Sequence, residues 1–285
     1  MAPKLQLLES GKIPKLLEIL KDLLPDSVVA YNWLLTVARW SEQSDQVKLI
    51  LMCPKVLDGT MVGLIDGVAG SNKIFGTVYA QEGKMEGLKN AMMETQLIEW
   101  QRLKHLIGIW KRFVPFLADV LREKGIDFSE NYRNLNVMSV EKAAILEKEM
   151  WPENVRVGEL SEKHLEKMCN LWPLFDPDLQ PIILKMLQLN PSVGVFATNE
   201  RGGEDLVSMV VQAEYGGVGL LQTVPQYRRK GYAKIALVAM TRILGSQGII
   251  PHAYILLDNE NASALFKKCG YERTGIICTI YVKNN

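Results

Sequence analysis

The chain has 285 residues, 48% of them apolar, and carries 33 basic against 32 acidic side chains for a formal net charge of +1. At about 150 residues per domain, that length holds two domains, each able to bury a core of its own. The charge balance counts against a general nucleic-acid or acidic-membrane binder, which needs a broad basic excess.

The first half opens with helical periodicity: Leu16, Leu17, Ile19, Leu20, Leu23 and Leu24 recur at three- and four-residue intervals until Pro25 breaks the run. Asp26-Ser27 predicts the cap of a second helix carrying Val29, Tyr31, Trp33 and Leu34. Strand-like runs follow at 47–53, 61–65 and 73–79, separated by Pro54, Asp58-Gly59 and Gly70-Ser71-Asn72. Residues 83–94 and 97–124 return to helical spacing, ending at Gly125. From 127 to 153 the pattern is irregular, with Asn131, Asn134 and Asn136 ahead of a polar helix that ends near Trp151-Pro152. A boundary near residue 150 divides a first α/β domain, 1–150, from a second, 151–285. The second half reads as strand 155–157, helices 162–174 and 178–187, and strands 193–198, 205–213 and 217–224. A helix over 234–244 stopped by Gly245, strand 251–257, a further helix and a final strand at 276–282 complete it.

Residues 223–233, Thr-Val-Pro-Gln-Tyr-Arg-Arg-Lys-Gly-Tyr-Ala, carry the strongest chemical signal. An apolar strand runs into a proline turn and then a basic, glycine-containing segment that opens a helix. The unpaired N–H groups and positive dipole end of a helix start favour an anion there. Gly231 lets a pyrophosphate approach the backbone, and Arg228, Arg229 and Lys230 add full positive charge. The Walker and dinucleotide spacings are both absent. Arg228-x-x-Gly231-x-Ala233 after Val-Pro-x-Tyr instead resembles the coenzyme A pyrophosphate loop of the GCN5-related N-acetyltransferase superfamily.

About thirty residues on, a short apolar strand leads into Asp258 through Tyr271. Asn259 or Asn261 can cap a helix carrying Ala262, Leu265 and Phe266 on one face, and Gly270 supplies its left-handed stop. This resembles the second motif of the same superfamily, with Asn259, Ala262, Leu265, Lys268 and Gly270 in register. The whole two-part chain is similar to the glycine N-acyltransferase family, through Leu24 to Val28, through Leu160 to His164 and through Asn170 to Trp172.

The resemblance implies an α/β acetyltransferase fold with a mixed, splayed central sheet, preceded by a second α/β domain that the similar lengths allow to be a degenerate copy. It implies acetyl-CoA or another acyl-CoA as co-substrate, and direct transfer to the amine of a small molecule or amino acid. Alternatives are a protein or peptide acceptor and a non-catalytic coenzyme A binding protein. Gln222, Thr223 and Val224 would line the pantetheine. Arg228, Arg229, Lys230, Gly231, Tyr232 and Ala233 would hold the pyrophosphate, and Asn259, Asn261 and Phe266 would complete the coenzyme site. The chain departs from the family pattern at two positions. Phe266 stands where many members carry a tyrosine acid, and Gly217 where glycine-conjugating members carry a carboxylate base. Substitute proton handlers are Glu214 in the preceding hairpin and His252 and Tyr254, which alternate onto one face of the next strand.

Cys53, Cys169, Cys269 and Cys278 form no Cys-x-x-Cys pair and have no histidine at ligand spacing, so free thiols and no metal are expected. The first residues are neither strongly apolar nor Arg-rich, and no apolar run reaches the roughly 18 residues of a membrane span. A cytoplasmic monomer or homodimer is expected, with no nucleic-acid or membrane partner. The family's mitochondrial members make a mitochondrial location the alternative.

Overall fold

The computed structural model describes residues 4–146 and 151–283, and they form two compact units. The first comprises residues 1–134 with 275–285, the second 135–274. The boundary expected near residue 150 lies outside the described residues.

In the first unit β1 (Leu5–Leu7) precedes α1 (Ile13–Asp22) and α2 (Val28–Gln43). Trp33 and Trp40 on α2 are fully buried together with Val29 and Val37, the i, i+4, i+8, i+11 stripe of a core-facing helix. Ser27 precedes α2 but caps nothing; its hydroxyl donates to the Leu20 carbonyl of α1 instead. Then come β2 (Lys48–Pro54), β3 (Met61–Asp66), β4 (Ile74–Tyr79), α3 (Met85–Glu94), β5 (Leu103–Trp110) and α4 (Val114–Glu123). β2, β3 and β4 pair antiparallel in turn, and β5 joins β4 in parallel.

β5 replaces the first part of the helix expected over 97–124, and α4 bears out the rest. Every residue from Leu103 to Ile109 is buried, Lys104 and His105 among them, so the segment lacks the period-two alternation of a half-exposed strand. The irregular stretch after 127 contains a second unexpected strand, β6 (Phe128–Val137). Its Asn-rich sequence is buried from Arg133 to Asn136, against β-propensity.

In the second unit α5 (Val140–Ala144), capped by Ser139, precedes β7 (Val155–Gly158), α6 (Leu165–Leu171), α7 (Gln180–Leu189), β8 (Ser192–Thr198), β9 (Glu204–Gln212) and β10 (Val218–Thr223). α8 (Tyr232–Ser246), β11 (His252–Leu256), α9 (Glu260–Lys268) and β12 (Glu272–Val282) follow. β7, β8, β9 and β10 pair antiparallel in turn, and β11 joins β10 in parallel. This repeats the first unit's order of two helices, three antiparallel strands, a helix and a parallel strand. The last strand departs from the repeat: β12, from Gly275 on, belongs to the first unit and lies antiparallel to β5, with Tyr281 opposite His105. Gly245, expected to stop α8, lies inside it, where a Cβ would come within 2.7 Å of Ala143 of α5. All four cysteines are buried, and none is in a disulfide. Among the described residues no helix is long and apolar enough to cross a membrane.

Candidate active site

β10 and β11 are in register only at Val218 with Ala253, so their C-terminal ends diverge. Two features open β10 further. Its pairing with β9 slips between Gly219 and Gln222, leaving Leu220 and Leu221 opposite Val210 alone, and Leu220 adopts a left-handed φ of 52°. A β-bulge of this kind turns backbone groups out of the ladder and re-aims them. Beyond the bulge the strand is pinned back to β9: Ser208 Oγ lies 2.9 Å from the Gln222 carbonyl oxygen and 2.9 Å from Thr223 Oγ1, and Val224 N–H donates to Val207 O at 3.0 Å. The Val224 N–H is therefore already engaged, and backbone groups for a ligand come from the bulge and from the loop that follows.

That loop is a single 3₁₀ turn, Pro225–Tyr227, leading to Arg229 at φ 63° and Gly231 at φ 87°. Among the described residues no backbone hydrogen bond uses the N–H groups of Arg229, Lys230, Gly231, Tyr232 or Ala233. Five successive N–H groups thus stand at the start of the 15-residue α8. Successive left-handed turns at a helix N-terminus form an anion-binding nest whose donors converge. A Cβ built on Gly231 would meet nothing within 4 Å, so the space over this backbone is open. The three cations around it are exposed, and among the described residues none is in an ion pair. Arg228 Nε donates to the Thr223 carbonyl at 3.2 Å, and Lys230 Nζ lies 5.4 Å from the centre of the Tyr227 ring. Arg229 reaches across to α9, where it donates to Asn261 Oδ1 at 3.2 Å.

The second motif meets the loop through that contact. Asn259 is the cap of α9, its Oδ1 accepting from Ala262 N–H at 3.0 Å, which decides between the two asparagines. Gly270 ends the helix at φ 91°. Phe266 is 4% exposed and packs edge-on against Tyr271, whose hydroxyl lies 2.7 Å from Thr241 Oγ1.

The other side of the cleft carries a compact aromatic cluster. Tyr215 and Tyr254 stack with centroids 4.0 Å apart, and His252 lies 5.5 Å from the first and 5.6 Å from the second. His252 is completely buried, with Nδ1 3.1 Å from the Ile250 carbonyl oxygen. Burial lowers its pKa to about 4, opposed in part by hydrogen bonds to the backbone of Ile250 and Tyr215. It is neutral at physiological pH and a weak proton acceptor. Glu214, in the hairpin before β10, is also buried, at 4% exposure. At Gly217 an added Cβ would lie 2.4 Å from the His252 carbonyl oxygen, 2.7 Å from the Tyr215 ring and 2.9 Å from His252 Nε2. This position, where the glycine-conjugating pattern carries a carboxylate, cannot hold any side chain without moving β11. No local sequence signal shows this, because the obstruction comes from a strand 35 residues away.

The His252 environment predicts an acid limb in stability. With the folded pKa depressed from 6.5 to about 4, the unfolded chain binds a proton that the fold excludes, so this contribution is present above pH 6.5 and lost as pH falls toward 4. Between pH 7 and 5 it amounts to about 2 kcal/mol. Urea melts at the two pH values measure it, and in His252→Gln the loss should shrink by that amount.

The corresponding place in the first unit is lined differently. Between β4 and α3, Lys84 is paired with Asp58 at 3.1 Å, Gln81 donates to the Asp58 carbonyl at 2.9 Å, and Glu82 and Glu86 stand at the helix start. An internal carboxylate and two further acids occupy the region that three cations occupy in the second unit.

Residues 192–279 match the family model described as FR47-like protein. A Drosophila structure from a structural genomics programme superposes with a TM-score of 0.86 at 19% identity, covering 99% of both chains. The chain has the GCN5-related N-acetyltransferase fold. Two further structures carry that name: a tandem protein from the clavulanic acid biosynthesis pathway, with a TM-score of 0.53 at 10% identity over 98% of each chain, and an N-acetyltransferase from Sphaerobacter thermophilus, with a TM-score of 0.51 at 11% identity over 98% of this chain and 94% of its own. The tandem relative fits the repeated element order of the two units. No curated protein matches the chain in sequence. The FR47-like match spans the bulge in β10, the basic loop at 228–233 and α9.

Proposed function

We propose that the second unit transfers an acyl group from coenzyme A to the amine of a small molecule or amino acid, in the manner of the glycine N-acyltransferases. The observation that carries this reading is the run of five unengaged N–H groups at 229–233, flanked by three unpaired cations and opening beside a splayed strand pair. Arg228 to Ala233 hold the pyrophosphate, Asn261 fixes Arg229 over it, and the backbone at the bulge and Gln222 follows the pantetheine arm. Acyl-CoA supplies an activated thioester. The acceptor nitrogen attacks its carbonyl carbon, the oxyanion that forms is stabilised by backbone N–H groups turned out at Leu220–Leu221, the C–S bond breaks and the thiolate takes up the amine proton. Approximation and preorganised donors contribute most of the rate, since a neutral amine is already nucleophilic. Glu214, His252 and Tyr254 remain the titratable groups for proton handling, with His252 made a weak base by its burial.

A second reading has its own observation: Gly217 cannot carry a base and Phe266 has no hydroxyl, so the unit could bind coenzyme A without transferring from it. The two readings part in an assay of thiol release from acetyl- and longer acyl-CoA against a panel of glycine, glutamine, arylalkylamines and peptide N-termini. Turnover with a small amine supports transfer, turnover only with peptides assigns a peptide acceptor, and none with any acceptor alongside tight coenzyme binding assigns the non-catalytic role.

A further inference from the structure

A brace outside both sequence motifs holds the phosphate loop. Tyr227, the last residue of the turn before Arg229, donates its hydroxyl to Asp205 Oδ2 at 2.5 Å. The other carboxylate oxygen, Oδ1, accepts from Asn199 Nδ2 at 3.0 Å. Asn199 is itself fixed, since its Oδ1 accepts from the N–H groups of Arg201 at 3.1 Å and Gly203 at 3.0 Å in the β8–β9 turn. Lys167 anchors beside it by donating to the Leu206 carbonyl at 2.9 Å. At the other end the Tyr227 ring is bracketed by Lys230 Nζ at 5.4 Å and the Tyr232 ring at 6.2 Å, the residues on either side of Gly231.

We propose that Asp205 is a positioning residue for the phosphate loop, acting through Tyr227 to hold the N–H groups of 229–233 in their convergent arrangement. The inference rests on the coenzyme reading above for its ligand, though not for its mechanics. A carboxylate beside an anion site is an electrostatic liability, so its presence needs a reason. Here both oxygens are engaged by donors and Lys167 is near, which draws the charge away from the loop while retaining a fixed acceptor for Tyr227. Arg229 sits in a left-handed conformation that non-glycine residues hold only when their surroundings over-determine it, and the brace attaches two residues upstream of it. The pyrophosphate donors are backbone groups, so only restraints on the backbone can aim them.

The test uses the full chain as wild type, Asp205→Ala, Tyr227→Phe and the double variant. Amide exchange in the ligand-free protein reads the mechanics: the hydrogen-bonded amides that frame the loop, Tyr227, Arg228 and Lys234, should exchange about tenfold faster in each variant while those in the middle of α8 stay unchanged. Calorimetric titration reads the consequence: coenzyme A should bind about five- to tenfold more weakly, pantetheine, which lacks the pyrophosphate, within twofold of wild type, and the double variant no worse than either single one. Unchanged exchange in the loop, or an equal loss for pantetheine and coenzyme A, overturns the proposal. Failure of the wild type to bind coenzyme A, with exchange still accelerated in the variants, leaves the brace standing and removes the coenzyme reading.

Discussion

Gly231→Val should weaken coenzyme A binding at least about tenfold while leaving the fold intact. Gly231 sits at φ 87°, where an L side chain costs about 1–2 kcal/mol and a β-branched one more. The loop can escape that strain by flipping toward a right-handed conformation, but doing so turns the N–H groups of Gly231 and Tyr232 away from the common point they now face. Relieving 1.4 kcal/mol in this way corresponds to about a tenfold loss of affinity. No neighbour lies within 4 Å of the new Cβ, so the core is untouched and the denaturation midpoint should move little. Calorimetry of the variant alongside its urea melt separates the two effects. Equal affinity for wild type and Gly231→Val would mean that the pyrophosphate does not lie on this backbone.

The opposite pattern is expected at Gly217. Here the backbone is unremarkable in φ, but a Cβ would press on the His252 carbonyl oxygen at 2.4 Å, a main-chain atom that cannot rotate aside. Gly217→Ala should therefore destabilise the protein by about 1–3 kcal/mol, the usual range for overpacking a buried site. Gly217→Glu, which restores the carboxylate of the glycine-conjugating pattern, should lose stability further and gain no activity, because its side chain has to displace β11 before it reaches the cleft. Urea melts and the thiol-release assay read both outcomes. A Gly217→Glu protein as stable as wild type and faster with glycine would show that the aromatic cluster yields, and that the glycine is only a missing base.

How much of this was legible in the sequence follows the range of the interactions involved. The turn at 225–231, the start of α8 and α9 are legible because local rules write them: a proline turn, a glycine before a helix, an asparagine cap and a glycine stop. β5 was read as helix because seven consecutive buried residues erase the alternation that marks a strand, and β6 was hidden by the asparagines it buries. The pairing of β12 with β5 could not be foreseen from either strand, since nothing in a strand's own residues names a partner some 170 positions away. Within the site, the missed residues are those whose role is wholly tertiary. Ser208 pins β10, Tyr215 fills the space beside Gly217, and Asp205 meets Tyr227 from a different strand. Only Tyr227 left a trace, as the tyrosine of Val-Pro-x-Tyr.

The repeated architecture makes the stoichiometry informative. One unit presents an unpaired basic nest, while the other fills the equivalent place with Asp58, Glu82 and Glu86. Calorimetric titration of the full chain with coenzyme A should therefore give one site per chain, abolished or weakened by Gly231→Val and insensitive to Lys84→Ala. Two equivalent sites, or a single site that responds to Lys84 and ignores Gly231, would contradict the assignment of the coenzyme to residues 228–233.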